Sequence, residues 1–337
     1  MKEAMFQEKV GEGGIRCGLC RFHCQIAHGA RGHCGVRENR GGELYSLVYG
    51  RAVAEHADPI EKKPLFHFLP GTRSYSIATV GCNFRCLHCQ NYSISQPDQG
   101  AVEFIGTAVS PEEIVARALA AGCRSISYTY TEPTIFFEYA YDTARLARAA
   151  GLKNVFVTNG YITSEALDVI APYLDAANID LKGFSERFYR EIIGAQLSEV
   201  LDSIVDYKRH GIWIELTTLI IPNQNDDRGE LKGIADFIVN DLGPEVPWHV
   251  TQFYPTYLLT KEPRTPLATL REARRIGLDA GLRYVYEGNV PGEGGEDSTC
   301  PGCATLLVKR YGYLIEKYHV VKGRCPSCGY QLDGVWE

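Results

Sequence analysis

The sequence predicts an α/β protein: a partial (β/α)6 barrel of the TIM type with a small cysteine-rich metal-binding module at each end. Three observations predict it. Between Ser74 and Gly288, short β-rich runs alternate with helical segments. Those runs are continuously apolar, as in strands buried on both faces of a parallel sheet. All of the 12 cysteines except Cys123 fall into three tight groups, two of them outside the repeat.

The expected strands are Ser74–Val80, Ser125–Tyr130, Asn154–Thr158, Ala177–Leu181, Trp213–Ile220, Val250–Tyr254 and a short one at Tyr284–Tyr286. Helical patterns lie between them. One starts at Ser110, where Ser-Pro-Glu-Glu supplies an N-cap, Pro at the first helical position and Glu at the third. Others cover Ile135–Ala150, Ser164–Ala171, Leu197–His210, Arg228–Asn240 and Leu267–Ala280. Six such repeats suit a barrel better than a doubly wound sheet, and in such sheets ligands bind beyond the carboxyl ends of the strands. The expected division is 1–70 for an N-terminal module and connector, 71–290 for the barrel and 291–337 for a zinc-ribbon or rubredoxin-like module. The connector, Leu44 to Pro70, contains short apolar runs able to pair as strands and ends in the turn signal Leu69-Pro70-Gly71.

With 45% hydrophobic and 23% charged residues, the composition is that of an ordinary soluble globular chain. A net charge of −6 with no large basic patch argues against nucleic-acid binding. Met1–Val10 lacks the apolar run of a signal peptide, and no stretch approaches the roughly 20 apolar residues of a membrane span. A cytoplasmic location and no membrane contact are therefore expected. Thiols two or three residues apart converge on a point, which suits a metal or a cluster rather than disulfides between distant loops.

The first barrel strand runs into Cys82-x3-Cys86-x2-Cys89. Three thiolates from one loop can hold three corners of a [4Fe–4S] cube, leaving the fourth iron open to a ligand from outside the protein. Zinc is the alternative, but it would need a fourth ligand such as His88 or Cys123; Cys123 otherwise reads as a small buried hydrophobe. Near the C-terminus, Cys300-x2-Cys303 and Cys325-x2-Cys328 flank a strand-like run, Thr305–Val321, and form a four-thiolate site. Zinc or rubredoxin-like iron fits there, and zinc needs no redox partner. Cys17, Cys20, Cys24 and Cys34 suit either zinc or a second, fully ligated [4Fe–4S] cluster.

The three-cysteine loop on the first strand of a six-repeat partial barrel resembles that of the radical S-adenosylmethionine (radical SAM) enzymes. Among these the chain is similar to homologues of the pyruvate formate-lyase activating enzyme. The run Asp58-Pro59-Ile60-Glu61-Lys62-Lys63-Pro64-Leu65 and the Cys89-Gln90-Asn91 ending look like the radical SAM member of the AmmeMemoRadiSam system. The resemblance implies that the amino and carboxylate groups of SAM chelate the open iron. One electron then cleaves SAM to methionine and a 5′-deoxyadenosyl radical, which abstracts a substrate hydrogen.

The resemblance also implies cofactor contacts. Thr129-Tyr130-Thr131-Glu132-Pro133 stands where relatives carry Gly-Gly-Glu-Pro, so Tyr130, Thr131 and Glu132 are expected at the methionine ammonium; Glu132 alternatively caps the following helix. In Asp180-Leu181-Lys182, Lys182 pairs with the SAM carboxylate, unless the two charges form an ordinary strand-end pair. Thr158, Asn159 and Gly160 meet ribose or methionine, or simply make a turn. His88 and Gln90 flank the third cysteine, with His88 where relatives stack an aromatic residue on the adenine. His249 lies near the position of a SAM-contacting histidine, or is a satisfied core histidine. Tyr128, Tyr130, Asn91, Tyr92 and Glu215 are candidate cleft residues, although tyrosines in a barrel are more often core. Implied partners are SAM, a one-electron donor such as flavodoxin or ferredoxin, and AMMECR-like and Memo-like proteins. Two other readings stay open: an activating enzyme for a glycyl-radical enzyme, and a zinc-binding scaffold. No residue fixes the substrate.

Overall fold

The computed structural model describes residues 1–96 and 105–337. Its centre is one eight-stranded sheet: β1 Ala54–Pro59, β2 Arg73–Ala78, β3 Ser125–Tyr128, β4 Lys153–Thr158, β5 Ala176–Asp180, β6 Trp213–Ile220, β7 Trp248–Gln252 and β8 Val285–Gly288. The strands lie side by side in chain order. From β2 to β8 every pairing is parallel, and β1 is added antiparallel to β2. β1 and β8 are the two edges, so this is an open, partial barrel.

The parallel strands are reached through α1 Pro111–Ala120, α2 Phe137–Ala149, α3 Ser164–Ile170, α4 Leu197–Arg209, α5 Arg228–Phe237 and α6 Leu267–Asp279. At α1 the expected capping box is present: the Glu113 amide donates to Ser110 Oγ, and the Ser110 amide donates to the Glu113 carboxylate. After β5 the chain forms a short helix, Glu186–Phe188, that widens into a π-helical turn at Tyr189–Ile193; the sequence pattern gave no element there. β7 begins and ends two residues earlier than its apolar run suggested. Its residues Trp248-His249-Val250-Thr251-Gln252 are half polar, yet all are buried.

The connector does pair as a strand, and it does so with the barrel. β1 is part of the main sheet, and the segment after it passes into the barrel: the Asn178 side-chain amide donates to Pro64 O, and the Glu215 carboxylate accepts the amides of Phe66 and His67. The N-terminal region forms two small antiparallel sheets, Gln7–Val10 with Gly14–Cys17 and Gln25–Ile26, and Lys2–Glu3 with Glu43–Ser46 and Arg37–Arg40. Its apolar residues Ile15, Leu19, Ile26, Val36 and Leu44 belong to the same core as the barrel. The C-terminal region has a core of its own around Leu307, Val308, Val320 and Leu332. It is tied to the barrel by Val335, whose amide and carbonyl bond His67 O and the Leu69 amide at 2.7 and 2.6 Å. No helix among the described residues is long and apolar enough to cross a membrane.

Candidate active site

Beyond the carboxyl ends of the strands lies a cavity of about 310 Å³. Cys82, Cys86 and Cys89 line it together, and their loop is held from several sides. The Gly81 amide donates to Ile94 O, and the amides of Arg85 and Leu87 donate to the carbonyls of Ile193 and Ile192. Those two acceptors end the π-helical turn, where backbone carbonyls have no partner within the helix. The Phe84 amide points at Cys82 Sγ, 3.3 Å away, and Ser95 Oγ lies 3.1 Å from Cys89 Sγ.

Burial pushes the Cys86 thiol up to about 11, although the Lys182 ammonium works against the shift. Burial also holds Cys82 well above its ordinary value, with the Glu132 carboxylate adding to the effect. Thiols placed this way ionise when a metal displaces the proton. Cys123 does not line the cavity; it precedes β3 at the other end of that strand. His88 lines the cavity, and its Nδ1 is buried with no hydrogen-bond partner. Burial, helped by Lys182, lowers its pKa to about 3, so the ring is neutral.

The cavity wall brings together most of the other expected residues: Gln90, Asn91, Tyr130, Thr131, Glu132, Thr158, Asn159, Asp180 and Lys182. Glu132 is fully engaged. Its Oε1 accepts from the Thr134 amide, the Thr134 hydroxyl and the Thr158 hydroxyl at 3.0, 2.6 and 2.8 Å. Its Oε2 accepts from the Asn159 amide at 2.8 Å. Glu132 therefore caps the turn at Pro133–Phe136 and clamps the end of β4 while lying against the cavity. Lys182 forms an ion pair with Asp180 at 2.8 Å. Burial opposes its charge, but Asp180 more than restores it, leaving the pKa above its ordinary value.

Tyr130 has a left-handed backbone, φ 65°, at the place where the resemblance has glycine. A side chain there costs about 1–2 kcal/mol, and its contacts offset that cost. Its hydroxyl donates to Asp58, its carbonyl accepts from the Asn91 side chain, and Lys63 Nζ sits 4.7 Å from its ring centroid.

Several expected residues stand elsewhere. His249 does not reach the cavity; its Nε2 is bonded to buried Glu215 at 2.7 Å. Burial raises the Glu215 pKa, but His249, His67 and the Phe66 amide outweigh that and leave it lowered. Glu215 is thus an interior hub rather than a cleft residue. Leu181 is core, Tyr128 is buried with its hydroxyl on Asn154, and Tyr92 stacks on Tyr257.

The sequence pattern missed Lys62, Lys63, Pro64, Thr217, Thr251 and Asn289 on the cavity wall. The signal for the first three is the pair Lys62-Lys63, one helical turn after Asp58 in the same run. Here Asp58 bonds both lysines, at 3.0 Å to Lys62 and 2.7 Å to Lys63. Burial lowers the Lys63 pKa to about 8, with Asp58 resisting.

At the C-terminal end, Cys300, Cys303, Cys325 and Cys328 place their sulfurs within 4.8 Å of one another. The 300–328 and 303–325 pairs are 3.6 and 3.7 Å apart. A tetrahedral zinc with Zn–S bonds of about 2.3 Å sets its sulfurs about 3.8 Å apart. The donor set and its spacing fit a single metal ion.

Residues 76–237 match the Radical SAM superfamily. Protein MJ0808 of Methanocaldococcus jannaschii is 47% identical over 335 residues, covering 99% of both chains. A second protein of that organism, the putative glycyl-radical enzyme activating enzyme MJ1632, is 26% identical over 53% of this chain and 66% of its own. Among solved structures, Streptococcus suis SuiB bound to its precursor peptide SuiA shares the fold, with a TM-score of 0.51, 15% identity and coverage of 68% of this chain and 51% of SuiB. With the three-cysteine loop at the carboxyl end of the first parallel strand, the family match makes the assignment: residues 76–237 form a radical SAM domain.

Proposed function

We propose that the protein is an enzyme that reductively cleaves SAM at a [4Fe–4S] cluster held by Cys82, Cys86 and Cys89, and uses the product to take a hydrogen atom from a substrate. The observation that carries this reading is the set of three cysteines lining one cavity, with Cys123 at the far end of its strand and His88 Nδ1 unbonded rather than drawn to the sulfurs. When bound, the cluster and SAM supply one-electron C–S bond cleavage.

The chain's own residues bind and orient. Lys182, already charged beside Asp180, attracts a carboxylate. Glu132 holds the Thr158–Asn159 turn against the cavity and presents negative charge towards an ammonium group. His88, neutral and buried, offers a flat face to a base, and Tyr130, Thr131, Asn159 and Gln90 complete the pocket. Lys62, Lys63 and Asn289 lie on the same wall and are left for the substrate. The four C-terminal cysteines hold structural zinc in this reading. Flavodoxin or ferredoxin supplies the electron, and AMMECR-like and Memo-like proteins are the functional partners.

Reconstitution with iron and sulfide under anaerobic conditions tests the proposal. Brown protein whose cluster EPR signal changes on adding SAM, and which releases 5′-deoxyadenosine only with Cys86 intact, supports it. Colourless protein holding zinc at all three cysteine groups overturns it. The likeness to the glycyl-radical enzyme activating enzyme MJ1632 favours a second reading, activation of such an enzyme; release of 5′-deoxyadenosine only when a glycyl-radical enzyme is present would select it.

A further inference from the structure

We propose that the substrate carries an anionic group, a carboxylate or a phosphate, and that Lys62 and Lys63 bind it on the cavity wall apart from the cysteine loop. The inference rests on the radical SAM reading of this cavity and names the class of substrate the cavity takes.

The charge balance of the lysine pair carries it first. Lys62 and Lys63 both line the cavity, and both are bonded to Asp58, which does not line it. One carboxylate therefore stands behind two ammonium groups. It is already divided among four donors: Oδ2 accepts from Lys63 and from the hydroxyls of Ser76 and Tyr130, and Oδ1 accepts from Lys62. An ammonium has three N–H donors. Among the described residues, Asp58 is the only hydrogen-bond partner of either lysine. Lys63 is only 1% exposed, so two of its donors are idle where bulk water does not reach. Such a group is costly unless a ligand takes up the donors. Its pKa, lowered to about 8 by burial against the pull of Asp58, is that of an ammonium short of negative charge.

The other charges on the wall do not meet this need. The Glu132 carboxylate is occupied by Thr134, Thr158 and Asn159, and Asp180 is paired with Lys182. Lys182 is assigned to SAM in the reading above. Lys62 and Lys63 are thus the cationic groups left for a second molecule.

The lysines are also held in place. Tyr130 keeps a left-handed backbone, and strain of this kind persists only where the surroundings over-determine it. What it achieves here is a ring set 4.7 Å from Lys63 Nζ and 5.7 Å from Lys62 Nζ, with the hydroxyl on Asp58. On the other side, Pro64 O accepts from the Asn178 side chain, whose oxygen accepts from the Thr217 hydroxyl. The same tyrosine shows how the wall is divided. Its carbonyl is bonded to Asn91, two residues after Cys89, while its hydroxyl reaches Asp58. The length of a tyrosine side chain thus separates the lysine end from the cysteine end. A compact ammonium acts as a point charge, without the planar fork of arginine, so a carboxylate and a phosphate share the chemistry this end recognises.

The test uses the full chain, reconstituted anaerobically and saturated with SAM so that Lys182 is occupied. Inorganic phosphate and succinate are titrated separately by calorimetry. At least one is expected to saturate with a Kd of about 1 mM or tighter. Phosphate alone points to a phosphorylated substrate, succinate alone to a carboxylate, and both to their shared chemistry. Lys62→Gln, at a partly exposed residue whose change the fold should tolerate, is expected to weaken binding by about threefold to tenfold. Asp58→Asn removes the competing carboxylate and is expected to tighten binding by about tenfold, a gain that a misfolded variant cannot imitate. The proposal is overturned if neither anion saturates the parent below about 10 mM. It is equally overturned if Lys62→Gln binds like the parent, or if folded Asp58→Asn binds no more tightly. The radical SAM reading fails on a separate signal, a cluster EPR spectrum that does not change with SAM.

Discussion

Glu132 decides between two physical roles for one carboxylate, and Glu132→Gln separates them. A carboxylate that merely awaits a ligand loses little stability when it becomes an amide. Glu132 instead accepts four hydrogen bonds, and they are distributed so that each oxygen takes one from a backbone amide: Thr134 on Oε1 and Asn159 on Oε2. Hydroxyls can turn away from a new NH2 group, but backbone amides cannot. Whichever oxygen the substitution replaces, one buried N–H then faces another. An unsatisfied buried donor costs about 1–3 kcal/mol, and the remaining bonds lose their charge assistance. The expected loss is about 2–4 kcal/mol, read as a lower urea midpoint at unchanged slope. Burial raises the Glu132 pKa while the same four donors pull it down, so the loss should be smaller at acidic pH, where the parent carboxyl is itself partly protonated. A Glu132→Gln protein within 0.5 kcal/mol (about the scatter of such measurements) of its parent would refute the clamp.

His67 should make stability fall in acid. It is fully buried, with one ring nitrogen on Asp333 O and the other on the Tyr286 hydroxyl. A carbonyl only accepts, so Nδ1 carries the proton and the neutral ring accepts from Tyr286. Burial lowers its pKa from 6.5 to about 4. The unfolded chain therefore binds the extra proton between those values, and stability drops as pH falls from about 6.5 to 4, by up to about 3 kcal/mol; a His67→Gln variant should lack this part of the acid slope in denaturation curves. Gly81→Ala would place a Cβ 2.5 Å from Val36 Cγ1 on a backbone with φ 99°. Left-handed strain of about 1–2 kcal/mol and overpacking of about 1–3 kcal/mol predict a total loss of about 2–5 kcal/mol, measured by chemical denaturation. Cys303→Ser, or a strong chelator, should release the C-terminal metal and leave the region around Leu307–Leu332 open to protease, while the far-UV dichroism of the barrel persists.

The parts of this architecture legible in the chain were those with a local physical signature. Apolar runs such as Asn154–Thr158 and the Ser110 capping box need no distant partner to be recognised, and cysteine spacing advertises metal sites. The hidden parts depend on remote neighbours. β1 lies in the connector, whose runs read as able to pair, but its Glu55 and Asp58 do not show which sheet it joins until Arg117, Lys62 and Lys63 are brought against them. β7 is half polar because Thr251 and Gln252 find buried partners, so its register could not be read from hydropathy. Similarity of position points His249 at the site, but a carboxylate from the neighbouring strand claims it. Lys63 gives no sign of its place in the sequence, because a lysine that is almost wholly buried is unusual and only its Asp58 partner makes it tolerable.

The strap formed by residues 62–69 has a consequence for how the two ends of the molecule communicate. Lys62, Lys63 and Pro64 face the cavity, the next amides grip Glu215, and His67 and Leu69 are laced to Val335 in the C-terminal region. A continuous stretch of chain thus joins the wall of the pocket to the module that the C-terminal cysteines staple together. A metal bound by the four C-terminal sulfurs would anchor the far end of this lever, and with it the backbone that carries the two cavity lysines.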